Sequence, residues 1–497
     1  MAVADQLKGL VAPFLPDVLS GRDLPPGPRG LDNALFVAKT TNDFMGPLTS
    51  MATKYGPVSA TFSRGRTLVV LANHEAARHV LVTNQDNYVK GIEYELLTIF
   101  LGEGLLTSEG ERWQTQRRLV QPLFAKRHIG EFVGQMTDAT RDSLEVGPLS
   151  GLSEGEGVDI NRAMMELTLD VVGRTLFGAD LTGETARRVA PAMNDVLTLG
   201  TRMVRRLPTF IIASLPGFNM RRAIALNPES IRFRRAVEQL REVIDELLIE
   251  REMSGDPGED LFGLMLTTTD PETGERMERN RIGDELMTFM LAGHETTSNA
   301  LSWVFRWLSL NPEAREIMVG EVDEVLDGRT PSFDDADRLP WTKAVVQESL
   351  RLSPPAWMVG RKAVEEDRIG GYRIPAGAGT MVLIRSIHRD PEVWDNPEGF
   401  DPRRFLAENR DELPRTAYLP FGAGRRICVG STFALVEATL LLAMISQRYE
   451  FNLPPWASVA EEAAVTLRPK GGLLMTTRPR NGVPSAPDPS RETAEAT

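Results

Sequence analysis

Apolar residues at helical spacing dominate this sequence. They recur every three to four positions, which places them on one face of an α-helix. Seven segments show the pattern, namely residues 111–124, 158–177, 231–251, 281–310, 312–326, 341–352 and 431–445. Strand-like runs are short and few, at residues 58–62, 67–71 and 372–384. The pattern predicts a mainly α fold with a minor β region.

The composition predicts one large folded domain with a short extension at each end. Hydrophobic residues make up 42% of the 497 residues and charged residues 25%, which are ordinary globular values. The proline-rich residues 24–28, LPPGP, exclude helix and mark the start of the domain. Residues 477–497 are rich in proline, serine and charge, which predicts disorder. We therefore expect an N-terminal extension at 1–23, a domain at 24–476 and a disordered tail at 477–497.

Charge and cysteine content exclude several classes of protein. The net charge of −13 has the wrong sign for binding nucleic acid. The one cysteine, Cys428, cannot form an intrachain disulfide, an iron–sulfur cluster or a zinc site of several thiolates. The five histidines are scattered and no HExxH pair occurs, so a zinc hydrolase has no visible ligand set. Chemistry based on a single thiolate remains open.

No segment has the length and apolar character of a membrane-spanning helix. The apolar residues 10–15 form a short run that Pro13 interrupts and Pro16 follows. The longer apolar stretch at 285–310 carries Glu295 and further charged residues, so lipid would be a poor solvent for it. We expect a cytoplasmic protein without a membrane-spanning segment.

Cys428 lies in a glycine- and arginine-rich loop, residues 421–430 (FGAGRRICVG), directly before the helical segment that starts near Ser431. A helix N-terminus favours the thiolate form of a nearby thiol. A single cysteine is more often a small buried hydrophobic residue. The glycines and arginines instead indicate a thiolate that binds iron beside an anionic cofactor, because glycine lets the backbone approach a ligand closely.

This loop matches the haem-binding pattern FxxGx[RH]xCxG of the cytochromes P450 at every fixed position. The sequence therefore resembles that family. The resemblance implies the cytochrome P450 fold, with haem b as cofactor and Cys428 as the axial thiolate ligand of its iron. It also implies that Arg426 binds a haem propionate and that Phe421 packs beside the sulfur.

A second motif, AGHETT at residues 292–297, interrupts the longest apolar helical segment. A glycine inside a helix costs about 1 kcal/mol relative to alanine, and a buried Glu-Thr pair costs free energy unless it is hydrogen-bonded. Such a motif marks either a functional site or a solvent-filled kink. It resembles the family's AGxxT pattern, which implies that Thr296 hydrogen-bonds bound dioxygen and that Glu295 relays protons. Ala292 would contact the cofactor and, with Gly293, leave room for substrate and oxygen.

Trp113 and Arg117 are four residues apart, on one face of the predicted helix 111–124. Without further context, a surface arginine that rests on an indole is the simpler interpretation. The spacing also resembles the family's WxxxR motif, which implies that both residues contact a haem propionate. Arg361, which follows PPAWMVG at residues 354–360, resembles a further propionate-binding arginine.

Glu348 and Arg351 are three residues apart and can meet on one face of the predicted helix 341–352. Most such pairs are solvated surface contacts. Here FDPRRF follows at residues 400–405 and resembles the segment that precedes the haem loop in this family. The resemblance implies that Glu348, Arg351 and Arg404 form a structural charge triad, which serves folding and haem incorporation.

The resemblance implies a haem-thiolate monooxygenase that inserts one oxygen atom of O2 into a lipophilic substrate, by hydroxylation or epoxidation. Two alternatives remain: a haem-thiolate peroxygenase or isomerase, and a non-catalytic haem sensor or carrier. The pair of Glu295 and Thr296 argues against both, since a proton relay is useful mainly for oxygen activation. An apolar cavity lining favours a fatty acid, terpenoid or steroid. The expected lining comprises residues 86–110, 287–292, 356–359 and 473–474.

The stretch after Cys428 is too short for a fused reductase, so we expect electrons from a ferredoxin or flavodoxin-type donor with its own reductase. The chain is acidic, yet basic residues cluster near the proximal haem face that the resemblance implies. They are Arg117, Arg118, Lys126, Arg127, Arg425 and Arg426. We expect an acidic donor to dock there, steered by charge and weakened by salt. An ordinary solvated face is the alternative.

Overall fold

The computed structural model describes residues 23–40, 43–63, 66–178, 183–206, 229–409, 413–463 and 465–480. The expected extension before residue 23 and the expected tail from residue 481 onward lie outside the described residues. Residues 477–479, which we expected in that tail, instead form the end of the last strand. They pair there with another strand, so the folded domain extends past residue 476.

α-Helices make up most of the described residues, which confirms the predicted fold class. In chain order they are α1 Gly30–Thr40, α2 Met45–Tyr55, α3 His74–Arg78, α4 Glu93–Leu101, α5 Gly110–Val120, α6 Lys126–Glu145, α7 Ile160–Phe177, α8 Gly183–Arg206, α9 Glu229–Ser254, α10 Leu261–Thr267, α11 Arg279–Leu310, α12 Pro312–Leu326, α13 Asp335–Arg338, α14 Pro340–Leu352, α15 Ile384–Ile387 and α16 Ser431–Arg448. Each predicted helical segment is present. Residues 121–124, expected as the end of one helix, form a separate 3₁₀ turn that contains Pro122, because proline cannot donate the helical hydrogen bond.

The strands within the described residues are short and belong to small sheets. They are β1 Val58–Ser63, β2 Arg66–Leu71, β3 Tyr88–Lys90, β4 Gly157–Asp159, β5 Val359–Ala363, β6 Asp367–Ile369, β7 Tyr372–Ile374, β8 Gly379–Val382, β9 Tyr449–Asn452, β10 Glu461–Ala463, β11 Leu467–Pro469 and β12 Leu474–Pro479. The largest sheet has the order β1-β2-β8-β5-β3, and β2 and β8 are its parallel pair. Strands β4, β12 and β9 form a second sheet, and β6-β7 and β10-β11 are hairpins. The minor β region is thus confirmed.

Local sequence signals set the ends of helices near the centre of the fold. Asp159 accepts hydrogen bonds from two N–H groups in the first turn of α7, and Gly178 ends that helix in the left-handed conformation with φ 62°. Pro340 opens α14, where its missing N–H costs nothing. These helices therefore begin and end where the chain offers a cap.

The hydrophobic core surrounds α11, and α7, α9, α14 and α16 pack against this helix. Most residues of α11 are buried, including the fully buried Trp303. A Cβ atom on Gly293 would lie 3.2 Å from Val172 of α7, so glycine permits the close approach of the two helices. Among the described helices, none is both long enough and apolar enough to cross a membrane.

Candidate active site

A cavity of about 580 Å³ lies between the middle of α11 and the loop that precedes α16. Residues of α4, α5 and β5 complete its walls. Every site residue expected from the sequence lines this space. They are Cys428, Arg426, Phe421, Trp113, Arg117, Arg361, Ala292, Glu295 and Thr296. The fold thus brings together four motifs that are far apart in the chain.

The Cys428 thiol lies on the cavity wall and exposes part of its surface. Its backbone N–H donates to the Phe421 carbonyl oxygen at 2.9 Å, which closes the loop behind the sulfur. Gly424 has φ 70° and lies so close to the Leu81 carbonyl that a larger residue would clash. The loop ends where α16 starts, at Ser431, so Cys428 lines the cavity from a position directly before this helix.

The charge state of the thiol is set by its surroundings. The exposed surface of Cys428 faces the cavity inside the fold, and burial there raises the pKa of the thiol, while the Gly430 N–H and the charge of Arg117 act in the opposite direction. The Gly430 N–H before α16 therefore acts in the direction expected from the sequence, but burial outweighs it. A metal ion would produce a thiolate, because coordination deprotonates a thiol outright.

Basic side chains collect on the cavity wall near the Cys428 loop. The Arg426 guanidinium lies 3.9 Å from the ring centroid of Trp113. Arg117 donates a hydrogen bond at 2.9 Å to the backbone carbonyl oxygen that precedes Cys428. Arg361 reaches the same space from β5 and is 8% exposed. The tryptophan and the arginines that the motifs predict therefore lie together on one wall of the cavity.

Lys90 is a further basic residue of this wall that was not predicted as a site residue from the sequence. Its ammonium group donates to the carbonyl oxygens of Leu105 and Ser108 at 3.4 and 2.9 Å. Burial, followed by repulsion from Arg426, lowers the pKa of Lys90 to about 6. Lys90 does fall within the expected lining at 86–110, but no motif spacing connects it to the other basic residues.

Carboxyl groups compensate little of the positive charge on the arginines of this wall. Burial raises the pKa of Glu93, Glu295 and Glu437 in the cavity wall, which favours their neutral forms. Glu109 pairs with Arg426, whereas the other cavity-lining bases have no ion pair among the described residues. An apolar space with cationic groups on one side and a single thiol suits haem, a largely apolar ring with two propionates. The residues present therefore fit this cofactor.

Glu295 and Thr296 face the cavity from the middle of α11. The Thr296 hydroxyl donates to the Ala292 carbonyl oxygen at 2.7 Å. Glu295 is 6% exposed, and its Oε1 accepts a hydrogen bond from Thr466 at 2.7 Å. Burial raises the pKa of Glu295, while the Thr466 hydroxyl and the charge of Arg468 act in the opposite direction. Glu295 can therefore hold a proton at the edge of the cavity.

Part of the expected lining is wrong. Leu473 is buried in the core and Leu474 is 46% exposed, and neither lines the cavity, because strand β12 pairs with β4 at this point. Val465 and Thr466 line the cavity instead. Gly293 also lines it, but a side chain there would contact α7, so its small size serves helix packing rather than room for a ligand.

Glu437 is an acidic residue of the site that no sequence motif predicts. It lies on α16, is 1% exposed and lines the cavity. Its Oε2 accepts a hydrogen bond from Thr297 at 3.3 Å, and its Oε1 has no partner among the described residues. Burial raises the pKa of Glu437 to about 8. The side chain is therefore mainly neutral at pH 7 and connects α16 to α11.

The expected charge triad is present outside the cavity. Arg351 donates to both carboxylate oxygens of Glu348 at 2.7 and 2.8 Å, and both side chains are fully buried. The Arg404 Nε atom lies 3.5 Å from Glu348 Oε1. Arg351 also donates to three backbone carbonyl oxygens of residues 388–399. The triad thus connects α14 to the segment that leads to the Cys428 loop.

The basic cluster expected at the donor-binding face is partly neutralised. Arg118 pairs with Asp270 at 2.8 Å and with Glu272 at 3.3 Å. Arg425 pairs with Asp86. All three acidic partners are distant in the sequence, so counting nearby charges overestimates the positive charge of this surface.

The family model for cytochrome P450 matches residues 25–476 of this chain. The chain belongs to the cytochrome P450 family. A protein of Mycobacterium bovis with a cytochrome P450 name is 38% identical over 431 residues, which cover 84% of this chain and 89% of that protein. Cyclooctat-9-en-7-ol 5-monooxygenase of Streptomyces melanosporofaciens is 34% identical and covers 79% of this chain and 82% of that enzyme.

A solved structure supports the same assignment. The crystal structure of the cytochrome P450DA heme domain superposes with a TM-score of 0.80 at 28% identity and covers 92% of this chain and 98% of that one. The chain therefore has the cytochrome P450 fold and haem b as cofactor. It is a haem-thiolate monooxygenase, an oxidoreductase that uses O2, a lipophilic substrate and electrons from a redox partner.

Proposed function

We propose that the Cys428 thiolate would bind the haem iron in this P450. Arg426, Trp113, Arg117 and Arg361 would hold the haem propionates. The observation that carries the proposal is that the chain's one thiol is exposed to a cavity whose wall collects cationic groups. Arginine suits this role because its planar guanidinium keeps its charge and binds carboxylates in a bidentate manner.

Lys90 and Phe421 complete this binding set. A propionate beside Lys90 would favour the charged ammonium and reverse the lowering of its pKa, because an opposite charge offsets the cost of burial. Phe421 lines the cavity at the start of the Cys428 loop, where it would shield the sulfur from water. The side chains on this wall thus neutralise the cofactor's acidic groups and exclude solvent from its ligand.

The distal residues handle protons. When bound, the haem supplies the iron at which one oxygen atom of O2 is transferred to the substrate. Glu295 holds a proton on its carboxyl group, and the adjacent Thr296 hydroxyl passes protons on at the cavity surface. Ala292 has a small side chain, so the surface of α11 beside this pair leaves space in the cavity. A peroxygenase, an isomerase or a haem sensor would have no use for this pair.

The substrate is proposed to be a lipophilic molecule of the fatty acid, terpenoid or steroid type. Aromatic and aliphatic side chains make up much of the remaining cavity wall. Examples are Phe100, Leu105, Leu106, Phe289 and Val465. A screen for compounds that perturb the haem absorption spectrum would identify ligands of this class.

The electron donor is proposed to be a ferredoxin or flavodoxin-type protein with its own reductase, in the cytoplasm. Lys126 and Arg127 begin α6 and retain exposed positive charge. Reversing both charges to glutamate should slow reduction by an acidic donor, because steering by charge weakens. Reversing Arg234 and Arg235, two exposed charges on α9, is the matched control. Equal rates in the two double variants, at low and high ionic strength, would contradict this docking site.

The thiolate assignment is tested by Cys428→Ser. We expect this variant to lose the carbon monoxide band of the reduced protein that is characteristic of a thiolate ligand. Haem content and the far-ultraviolet circular dichroism spectrum, measured on the same sample, distinguish loss of the ligand from loss of the fold. Survival of the thiolate-type band in Cys428→Ser would show that the assignment is wrong.

A further inference from the structure

The carboxyl group of Glu295 is held by a residue outside its own helix. Thr466 lies between β10 and β11, is 6% exposed and lines the cavity. Its hydroxyl donates to Glu295 Oε1 at 2.7 Å. Arg468, which pairs with Glu462 at 2.9 Å, adds a positive charge from the same hairpin. The hairpin therefore supplies both a hydrogen bond and a favourable charge to Glu295.

The direction of the Thr466 hydrogen bond is set by a chain of buried amides. Asn161 of α7 donates to Asn299 Oδ1 at 3.1 Å, and the Asn299 amide donates to Thr466 Oγ1 at 3.2 Å. The threonine oxygen thus accepts one bond and has a single proton to donate, which it gives to Glu295. The hydrogen bonds of this chain thus run from Asn161 through Asn299 and Thr466 to the carboxyl group, and Asn161 also donates to Ser302 Oγ at 3.1 Å.

We infer that Thr466 is a positioning residue, which holds the Glu295 carboxyl group at the hairpin side of the cavity and so sets where and how readily it exchanges protons. The inference rests on the proposed role of Glu295. A hydrogen bond to a carboxylate stabilises the charged form, and loss of this bond leaves Glu295 buried with only Arg468 to favour ionisation. Thr466 itself neither donates protons to the substrate nor binds haem.

The surroundings of Glu295 limit what else could control its charge. His294 on the same helix is buried and mainly neutral, because burial lowers its pKa to about 4. Glu437 on α16 is mainly neutral at pH 7 and bonds to Thr297. On the hairpin, Arg468 and Glu462 form an ion pair. The Thr466 hydroxyl is therefore the neutral group best placed to favour the ionised form.

The test uses haem-loaded Thr466→Val, which removes the hydroxyl at nearly constant shape, and Thr466→Ser, which keeps it. Thr477→Val is the matched control, because the Thr477 hydroxyl is buried in β12 without a hydrogen-bond partner among the described residues. Infrared spectra across a pH series follow the carboxyl band of Glu295, which is identified by its loss in Glu295→Gln. A second measurement is the rate at which the dithionite-reduced protein reoxidises in air.

We expect Thr466→Val to titrate Glu295 at higher pH than the wild type. We also expect reoxidation to slow by about tenfold, less than the roughly 10²–10⁴-fold that a general acid can contribute, because Glu295 is still present. Thr466→Ser and Thr477→Val should match the wild type in both measurements. If Thr466→Val folds poorly, Thr466→Ala removes the same hydroxyl without a replacement methyl group.

The outcomes separate this inference from the proposed role of Glu295. An unchanged Glu295 titration in Thr466→Val would overturn the inference, even where Glu295→Gln slows reoxidation. Conversely, if Glu295→Gln reoxidises like the wild type, the proposed proton role of Glu295 fails. The infrared titration would in that case still decide whether Thr466 holds the carboxyl group.

Discussion

Replacing Gly424 by alanine should damage the Cys428 loop much more than the same change at Gly422. Both glycines have left-handed backbone conformations, with φ 70° and 73°. A Cβ atom on Gly422 would meet no other atom within 4 Å. A Cβ atom on Gly424 would lie 3.0 Å from the Leu81 carbonyl carbon and closer still to its oxygen. The pair therefore separates backbone strain from steric clash.

The expected size of the effect follows from these two terms. A left-handed conformation costs a non-glycine residue about 1–2 kcal/mol. Gly424→Ala adds the cost of overpacking, about 1–3 kcal/mol, because the Leu81 carbonyl belongs to a π-helical turn, His79–Thr83, and its backbone has to move. We expect losses in the free energy of unfolding of about 1–2 kcal/mol for Gly422→Ala and about 2–5 kcal/mol for Gly424→Ala.

Urea unfolding of the two apoproteins measures this difference, and the carbon monoxide spectrum of the reduced, haem-loaded proteins reports the position of the sulfur. We expect Gly424→Ala to bind less haem, since movement of the loop displaces Cys428. Equal destabilisation of the two variants would refute the reasoning. It would show that the loop moves freely away from Leu81 and that the close approach does not require glycine.

Three further substitutions probe buried charge. Arg351→Leu should lower the free energy of unfolding by about 3–5 kcal/mol in a urea titration, because it removes both hydrogen bonds from Arg351 to the buried Glu348 and leaves only Arg404, at 3.5 Å, as an ion partner; a loss below about 1 kcal/mol would contradict this. In the apoprotein, the folded state lacks a Lys90 proton that the unfolded chain keeps between about pH 6 and 10.5, so stability should rise with pH across that window. Lys90→Met should flatten this rise and weaken haem binding, as measured by urea unfolding at several pH values and by haem titration. The effect of Glu437 on stability has the opposite sign, because the folded state keeps a proton up to about pH 8 that the unfolded chain releases near pH 4.5. The free energy of unfolding should therefore fall with pH between these values, and Glu437→Gln should reduce this fall.

Some helices were predicted from their apolar residues at helical spacing, whereas other helices were not. The prediction for residues 312–326 agrees with the bounds of α12, which starts at Pro312 and is followed by a left-handed Asp327. Helix α6 was missed although its buried residues recur at helical spacing, because Gly130 and Gly134 lower its local helix propensity, and α8 contains Pro191. In both cases packing against neighbouring helices overrides a weak local preference.

Short strands escaped prediction for a related reason. β10 and β11 have three residues each and owe their conformation to pairing with each other. Runs of this length carry too little periodicity to be recognised, and strand propensity depends strongly on context. The hairpin nevertheless brings Thr466 to Glu295, so a feature without a sequence signal supplies a contact within the site.

The site residues also divide into those that the sequence indicates and those that only the fold reveals. This division limits what formal charge can explain about the cavity. Cys428 and Thr296 stand in motifs with fixed spacing, so the sequence alone indicates their roles. Lys90, Glu437 and Arg118 depend on partners or burial that only the fold creates. In the sequence each counts as one unit of charge, yet burial favours the neutral form of the first two and Asp270 pairs with the third. The positive character of the cavity therefore arises because burial favours the neutral forms of its acids while its arginines keep their charge. A count of charged residues over this acidic chain would not reveal it.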